Sequence, residues 1–224
     1  MGKQSATARM KTQVGDGLRE ECANNTWLNI VRDKDSREPG LQVDRMSEAE
    51  VALHLADFIL SLPHSGAMAS VAIDGASIKV GDAIVFDVGR FMAGMGWEQI
   101  KEPQFGRNAR AGAYRRNGKI VRVHSRPGEG DVVTTIDGRR IVARCKRGTL
   151  VRKPGSPEYA LLTDALGEAL LFDVSADDIV VAAVPDTPVF RKLAESWQSR
   201  PLVRRAGIRI ALVARDGAVS GLDL

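Results

Sequence analysis

Asp131 and Lys146 lie at the outer ends of two β-prone runs that a turn-forming dipeptide separates. A carboxylate at the start of one strand can hold Mg²⁺ or Mn²⁺, which polarises a phosphate and acidifies a water. A lysine at the end of the partner strand can orient the nucleophile or stabilise the developing charge. These residue types indicate metal-dependent phosphodiester cleavage, which requires one element that places both side chains together.

That element is the segment GDVVTTIDGRRIVARCKRG, residues 130–148. Runs rich in Val, Ile and Thr flank Asp137-Gly138, the dipeptide that most favours a two-residue hairpin turn. Side chains alternate with period two along a strand, so residues facing each other across the hairpin share one face. Counting back from the turn gives the facing pairs Asp131 with Arg144 and Glu129 with Lys146.

The composition indicates a soluble globular protein, with 44% apolar and 27% charged residues in 224. No apolar run is long enough for a membrane span, and the segment MGKQSATARMK lacks the apolar centre of a signal peptide. We therefore expect a cytoplasmic protein with no membrane partner. Cys22 and Cys145 are far apart in the sequence, which argues against a disulfide framework and a zinc site.

Positive charge is concentrated in residues 107–153, which hold eleven Arg and three Lys against three acidic residues. The whole chain has a formal charge of only +4, so the remainder is acidic. A basic block in an acidic chain favours a polyanion partner, because phosphate contacts release counterions. A solvated basic face is the alternative, but this block surrounds the charged hairpin.

The N-terminal part is predicted to be a small α+β segment, residues 1–80. Its polar start, residues 1–40, has little periodicity and is expected to be partly disordered. Ser47 and Glu50 form a capping-box pattern that predicts a helix at about 48–62. A second dipeptide, Asp74-Gly75, predicts a small hairpin.

The remaining residues, 81–224, are predicted to form an α/β domain with a sheet covered on both faces. Its predicted order is helix, three strands, helix, strand, helix, strand. The supporting patterns are a helical stripe within 82–100, a Gly- and Arg-rich loop at 103–118, a strand at 119–124, the hairpin, a helix at 157–172, a buried strand DDIVVAAVP, a helix TPVFRKLAESW and a strand IRIALVARDG.

Residues of about 82–215 resemble the PD-(D/E)XK nucleases of the restriction-endonuclease-like fold. The resemblance rests on GEGDVV followed by IVARCKRG, and on ALGEALLF, which is similar to the family's helix after the lysine. Many members have Gln at the position of Glu168. The resemblance implies a restriction-endonuclease-like core, with a mixed central sheet and helices on both faces, and DNA hydrolysis with Mg²⁺ or Mn²⁺.

By this resemblance, Asp131 corresponds to the metal-binding aspartate and Lys146 to the catalytic lysine. The second acid of the family lies two residues before the lysine, where this chain has Arg144, which cannot bind a cation. Glu168 on the following helix can replace that acid, so Asp131 and Glu168 are the expected metal ligands, and Glu129 can contribute. Alternatively, Arg144 pairs with Asp131 and Lys146 with Glu129, which leaves a neutralised, metal-free site.

The expected partner is nucleic acid, most simply double-stranded DNA. Many nucleases of this fold act as dimers that cut both strands, so the resemblance also implies a homodimer. The predicted nucleic-acid-binding residues are Arg115, Arg116, Arg126, Arg144 and Arg147. Two alternatives are a nuclease-like domain that has lost catalysis and serves as a binding or assembly module, and a basic face for an acidic protein. Cys145 is expected in the core, whereas His124 can contact phosphate, act as a base or be structural.

Overall fold

A computed structural model describes residues 44–74, 79–80, 83–84, 86–100, 112–126, 128, 130–151, 155 and 157–224. The predictions for residues 1–40, for Glu129 and for most of the 103–118 loop lie outside these residues. The elements in chain order are β1 (Arg45–Met46), α1 (Glu48–Ser61), β2 (Met68–Ala72), β3 (Lys79–Val80), β4 (Ala83–Ile84), α2 (Val88–Gly94), β5 (Glu98–Ile100), β6 (Gly112–Arg116), β7 (Lys119–His124), β8 (Val132–Ile136), β9 (Arg139–Cys145), β10 (Gly148–Thr149), α3 (Glu158–Ala169), β11 (Ile179–Pro185), α4 (Pro188–Gln198), α5 (Pro201–Ala206), β12 (Arg209–Val213) and β13 (Val219–Ser220).

A mixed sheet of nine strands organises the described chain into an α/β fold. Its order is β13-β12-β11-β9-β8-β2-β7-β6-β5. Strand β9 is antiparallel to β8 and parallel to β11, so the pairing changes from antiparallel to parallel at the hairpin. Strand β11 is buried at every position, as its unbroken apolar sequence predicts.

Helices cover both faces of the sheet around the hairpin. Helix α1 packs on one face, where its apolar side chains join those of β2, β8, β9 and β11 in the largest core cluster. Helices α3 and α4 pack on the other face, against β9, β11 and β12. No helix in the described part of the chain is long and apolar enough to cross a membrane.

Helix α1 begins as the sequence predicts, because the Ser47 hydroxyl accepts a hydrogen bond from the amide of Glu50. Glu50 does not complete the capping box. Its carboxylate is buried and pairs with the Arg215 guanidinium, with Nε 2.7 Å from Oε1. Helix α1 is thereby tied to the loop that follows β12.

The predicted division near residue 80 falls inside a single compact unit that contains all the described residues. Helix α1 packs against the central strands, and β2 lies between β7 and β8 in the same sheet. The hairpin predicted at Asp74-Gly75 includes residues 75–78, which lie outside the described residues. Strand β2 itself pairs with β7 and β8, and β3 and β4 form a short pairing of their own.

Two further element predictions need correction. The helix predicted within 82–100 is confined to Val88–Gly94, with strands on either side. The predicted loop at 103–118 contains strand β6, which forms a hairpin with β7. The turn is Asn117-Gly118, with positive φ angles of 50° and 77°, as a two-residue hairpin turn requires.

Candidate functional site

The hairpin of β8 and β9 has the predicted turn and register. Asp137 and Gly138 have φ angles of 50° and 74°, and Ile136 faces Arg139 directly after the turn. The register continues to Val132 opposite Ala143, which brings the next residues, Asp131 and Arg144, side by side. The two side chains are in contact, with Arg144 Nη1 donating to Asp131 Oδ1 at 2.8 Å.

Asp131 is fixed by its backbone surroundings as well as by Arg144. Its second carboxylate oxygen, Oδ2, accepts a hydrogen bond from the amide of Cys145 at 2.7 Å. Gly130 lets the chain approach β9 closely, because a Cβ there would lie 2.8 Å from Val142 Cγ1 and 2.9 Å from the Ala143 carbonyl oxygen. The Asp131 carboxylate is therefore held in one orientation before any ligand arrives.

Helix α3 brings Glu168 to this pair of residues. The buried residues Ala165 and Ala169 pack on β11, which places Glu168 over the end of the hairpin. Glu168 Oε1 accepts a hydrogen bond from Lys146 Nζ at 2.7 Å, and Oε2 forms an ion pair with Arg144 Nε at 2.6 Å. The structure thus brings together Asp131, Lys146, Arg144 and Glu168, four of the predicted site residues.

The structure contains part of each arrangement predicted for this site, the metal-free ion pairs and the relocated second acid. Arg144 pairs with Asp131, as the metal-free alternative requires, but Lys146 pairs with Glu168. Glu168 also points into the cluster, as the hypothesis of a relocated second acid requires. Contacts of Glu129 lie outside the described residues.

Glu48 is a fifth acidic or basic residue of this cluster and was not among the residues predicted from the sequence. It is the first residue of α1 and is half-buried. Burial raises the pKa of Glu48 to about 7, with a further rise from Asp131 and Glu168 against the opposing effects of Lys146 and Arg144. An acidic residue in the first turn of a helix is common for dipole reasons, so its position gave no signal of a site.

Burial also shifts the pKa of other ionisable groups at this end of the hairpin. It raises the pKa of Asp131, although the Cys145 amide and Arg144 act in the opposite direction. Desolvation lowers the pKa of Arg144, but the carboxylates of Asp131 and Glu168 outweigh it and raise that pKa overall. The thiol of Cys145 is fully buried and its pKa is raised well above the ordinary value, so it is a core residue as predicted.

Arg144 occupies the centre of the acidic cluster. Its guanidinium contacts Asp131 through Nη1 and Glu168 through Nε, so it lies between the two expected metal ligands. In the part of the chain that the structure describes, no three acidic, His or Cys side chains are grouped closely enough to hold a metal ion. A cation that used both carboxylates would have to displace this guanidinium.

The predicted nucleic-acid-binding arginines separate into different environments. Arg115, Arg126 and Arg147 are exposed. Arg116 instead packs on the α1 side, where its guanidinium lies over the Trp97 ring and pairs with Asp57. Its contacts join β6 to α1 and to the segment after α2, so Arg116 is a structural residue and not a free phosphate contact.

Comparison of the chain with protein-family models, with curated proteins and with solved structures gives no match. The function is therefore inferred from the geometry of this cluster and from the charges around it.

The raised pKa of Glu48 predicts a pH-dependent gain in stability for Glu48→Gln. A carboxyl whose pKa rises from 4.5 to about 7 on folding destabilises the native state progressively as pH increases through that interval. The gain of Glu48→Gln over wild type should therefore increase from about pH 4.5 and level off above pH 7. We expect this gain in the free energy of unfolding to reach about 1–2 kcal/mol, because the side chain is partly exposed and solvent screens its interactions.

Urea unfolding of both proteins at several pH values measures this difference. Glu195→Gln, at an exposed position on α4, is the matched control and should show a flat difference. A pH-independent difference for Glu48→Gln would contradict the electrostatic coupling of Glu48 to the cluster.

Proposed function

We propose that the protein hydrolyses DNA phosphodiester bonds with a divalent cation, in the manner of the PD-(D/E)XK nucleases. The observation that carries this proposal is the convergence of Asp131, Glu168 and Lys146 at one end of the hairpin, with Lys146 Nζ 2.7 Å from Glu168 Oε1. Paired carboxylates beside a lysine are suited to phosphate chemistry. The concentration of arginine around the hairpin supports a polyanionic substrate.

The order of the elements supports the same proposal. Helix α1, strands β2, β8 and β9, helix α3 and strand β11 follow one another as helix, three-stranded meander, helix and strand. Within this set β2 pairs antiparallel with β8, β8 antiparallel with β9, and β9 parallel with β11. This order is compatible with a restriction-endonuclease-like core, but not with the elements predicted from residues 82–215. The strand at 119–124, predicted as the first meander strand, is β7 and pairs with β2 and β6, so β2 takes its place, α1 takes the place of the helix predicted within 82–100, and β3 to β7 are an insertion.

The donor set fits Mg²⁺ or Mn²⁺ by its chemistry. Asp131 and Glu168 offer carboxylate oxygens, which these hard cations prefer, and Mg²⁺ usually takes only one or two carboxylates and keeps several waters. The raised pKa of Glu48 is partly caused by the other two carboxylates, so the three acids already share one electrostatic environment that a cation would relieve. When bound, the cation polarises the phosphate and acidifies a water.

The side chains of the protein have separate tasks in this proposal. Asp131 is held by the Cys145 amide and keeps its orientation when Arg144 moves away. Lys146, with 15% of its side chain exposed, stabilises the negative charge that develops on the attacked phosphate. Arg144, with 30% exposed, can exchange its two carboxylate partners for a substrate phosphate.

A second candidate function is nucleic-acid binding without catalysis. The ion pairs of Arg144 with Asp131 and Glu168 favour it, because they neutralise both expected metal ligands. In this case the cluster stabilises the fold, and the basic residues around it bind phosphates.

Incubation of the protein with supercoiled plasmid and with short duplex DNA, in Mg²⁺ or Mn²⁺, distinguishes the two functions. Hydrolysis predicts nicked or linear plasmid with either cation and none in the presence of a chelator. Salt-dependent DNA binding without cleavage in either cation would replace the proposed function with the second candidate. Absence of both binding and cleavage would contradict both.

A further inference from the structure

One face of strands β6, β7, β2 and β8 has the position and chemistry of a docking surface next to the cluster. We define this outer face by the side chains of Met68, Ser70, Arg115, Arg122, His124 and Thr135. The strand registers place them on one side, because Ser70 pairs with Val133 and with Arg122, and Arg115 pairs with Ile120.

Among the described residues, the helix that packs on β2 and β8 is α1, and it lies on the opposite face. Solvent therefore reaches part of the outer face, although Ala113, which pairs with Arg122 on this side, is buried. Arg115, Arg122 and Thr135 are exposed, and Met68, an apolar residue in the middle of the face, is 41% exposed. The opposite sides of the same strands hold core residues such as Val71 and Val121.

The outer face is continuous with the candidate site. Asp131 precedes β8 and lies on the same side as Val133, and Arg144 on β9 faces Asp131. From β6 to β9 there are four strand spacings, which is about 19 Å. Arg115, Arg122 and Arg144 are thus spread over a width at which each can contact a different phosphate of a duplex.

The chemistry of this face favours a duplex over a single strand. None of the six side chains that define it is Phe, Tyr or Trp, and the one ring among them, the imidazole of His124, is only partly exposed, so the face offers little aromatic surface for stacking bases. Tyr114 on β6 is buried on the other side. Ser70 Oγ and His124 Nε2 are hydrogen-bonded at 2.8 Å, which adds a polar contact between the basic positions.

We infer that the outer face binds the backbone of double-stranded DNA and delivers one strand to the cluster around Asp131 and Lys146. This inference rests on the proposed function and names the form of its substrate. To bind phosphates, Arg115 and Arg122 must give up their present contacts within the protein. For Arg115 this contact is an ion pair with Glu98 at 3.6 Å, which is weak because both side chains are exposed.

The test is the affinity of the full chain for a short random-sequence duplex and for one of its strands, measured over a range of salt concentrations. We expect tighter binding of the duplex. The double variant Arg115→Ala, Arg122→Ala should weaken duplex binding on the order of tenfold and reduce the slope of log K against log salt by about two. Arg205→Ala, at an exposed position on α5, is the matched control and should bind like wild type.

Hydroxyl-radical footprinting of the wild-type protein gives a second measurement that does not depend on a variant. Oxidation of Met68 should decrease when duplex DNA is bound, while oxidation of the exposed Leu202 on α5 should not change. Unchanged affinity and salt slope in the double variant, or an unprotected Met68 in a wild-type complex, would overturn the docking surface and leave the proposed function standing. A wild-type protein that binds no DNA would overturn both.

Discussion

Lys146→Ala is expected to lower the single-turnover rate of plasmid cleavage by about 10²–10³-fold, because it removes the only charge-stabilising lysine seen in the cluster among the described residues. Glu168→Gln should lower that rate by a similar factor, since an amide keeps the shape of the side chain but is a poor cation ligand. Both losses should appear with Mg²⁺ and with Mn²⁺. The measurement is the rate of conversion of supercoiled to nicked plasmid with protein in excess.

Two matched substitutions control for loss of charge alone. Lys192→Ala and Glu195→Gln are at exposed positions on α4 and should cleave at the wild-type rate. Duplex affinity of the Lys146 and Glu168 variants, measured with a chelator, separates binding from chemistry. A variant that loses cleavage but keeps affinity supports a catalytic role, whereas a Lys146→Ala protein that cleaves normally would remove Lys146 from the mechanism.

The local part of the site could be predicted from the sequence because a hairpin fixes its own register. Asp137-Gly138 sets the turn, and the turn sets which residues face each other, so the contact of Asp131 with Arg144 follows from counting. Glu168 was found through its helix, on which an acidic residue among apolar ones needs a partner. Its two partners are Arg144 and Lys146.

The parts of the fold that were missed depend on contacts between distant segments. Strand β2, which the sequence analysis assigned to a separate N-terminal segment, lies in the large sheet between β7 and β8, and its buried side packs against α1. The Asn117-Gly118 turn was an available local signal for the β6–β7 hairpin that the Gly- and Arg-rich composition obscured. Glu48 joins the site only because α1 crosses the hairpin, which no local pattern reveals.

Among the substitutions considered for the cluster, Arg144→Ala is expected to lower the free energy of unfolding most when no divalent cation is present. It leaves Asp131, with 9% of its side chain exposed, and Glu168 without their shared positive partner. Removing one partner of a fully buried ion pair costs about 3–5 kcal/mol, and the partial exposure of Arg144 and Glu168 reduces this to about 1–3 kcal/mol. Urea unfolding with a chelator present measures the loss.

Mg²⁺ should restore much of that stability, because a cation that binds only the native state adds about 2.7 kcal/mol at a hundred times its Kd. Wild type should respond less, since its guanidinium competes for the same carboxylates. The matched control is Arg140→Ala, on the same strand and face, with a similarly exposed guanidinium 3.5 Å from Asp178. It should show no Mg²⁺ response.

Adding Glu168→Gln to Arg144→Ala should abolish the response, because one of the two carboxylates that bind the cation is then absent. A Mg²⁺ response that persists in this double variant would place the cation elsewhere. No response in Arg144→Ala itself would mean that Asp131 and Glu168 serve only as ion-pair partners. Arg144 would then be a structural counter-ion in a nucleic-acid-binding protein, and not the residue that a cation and a substrate phosphate displace.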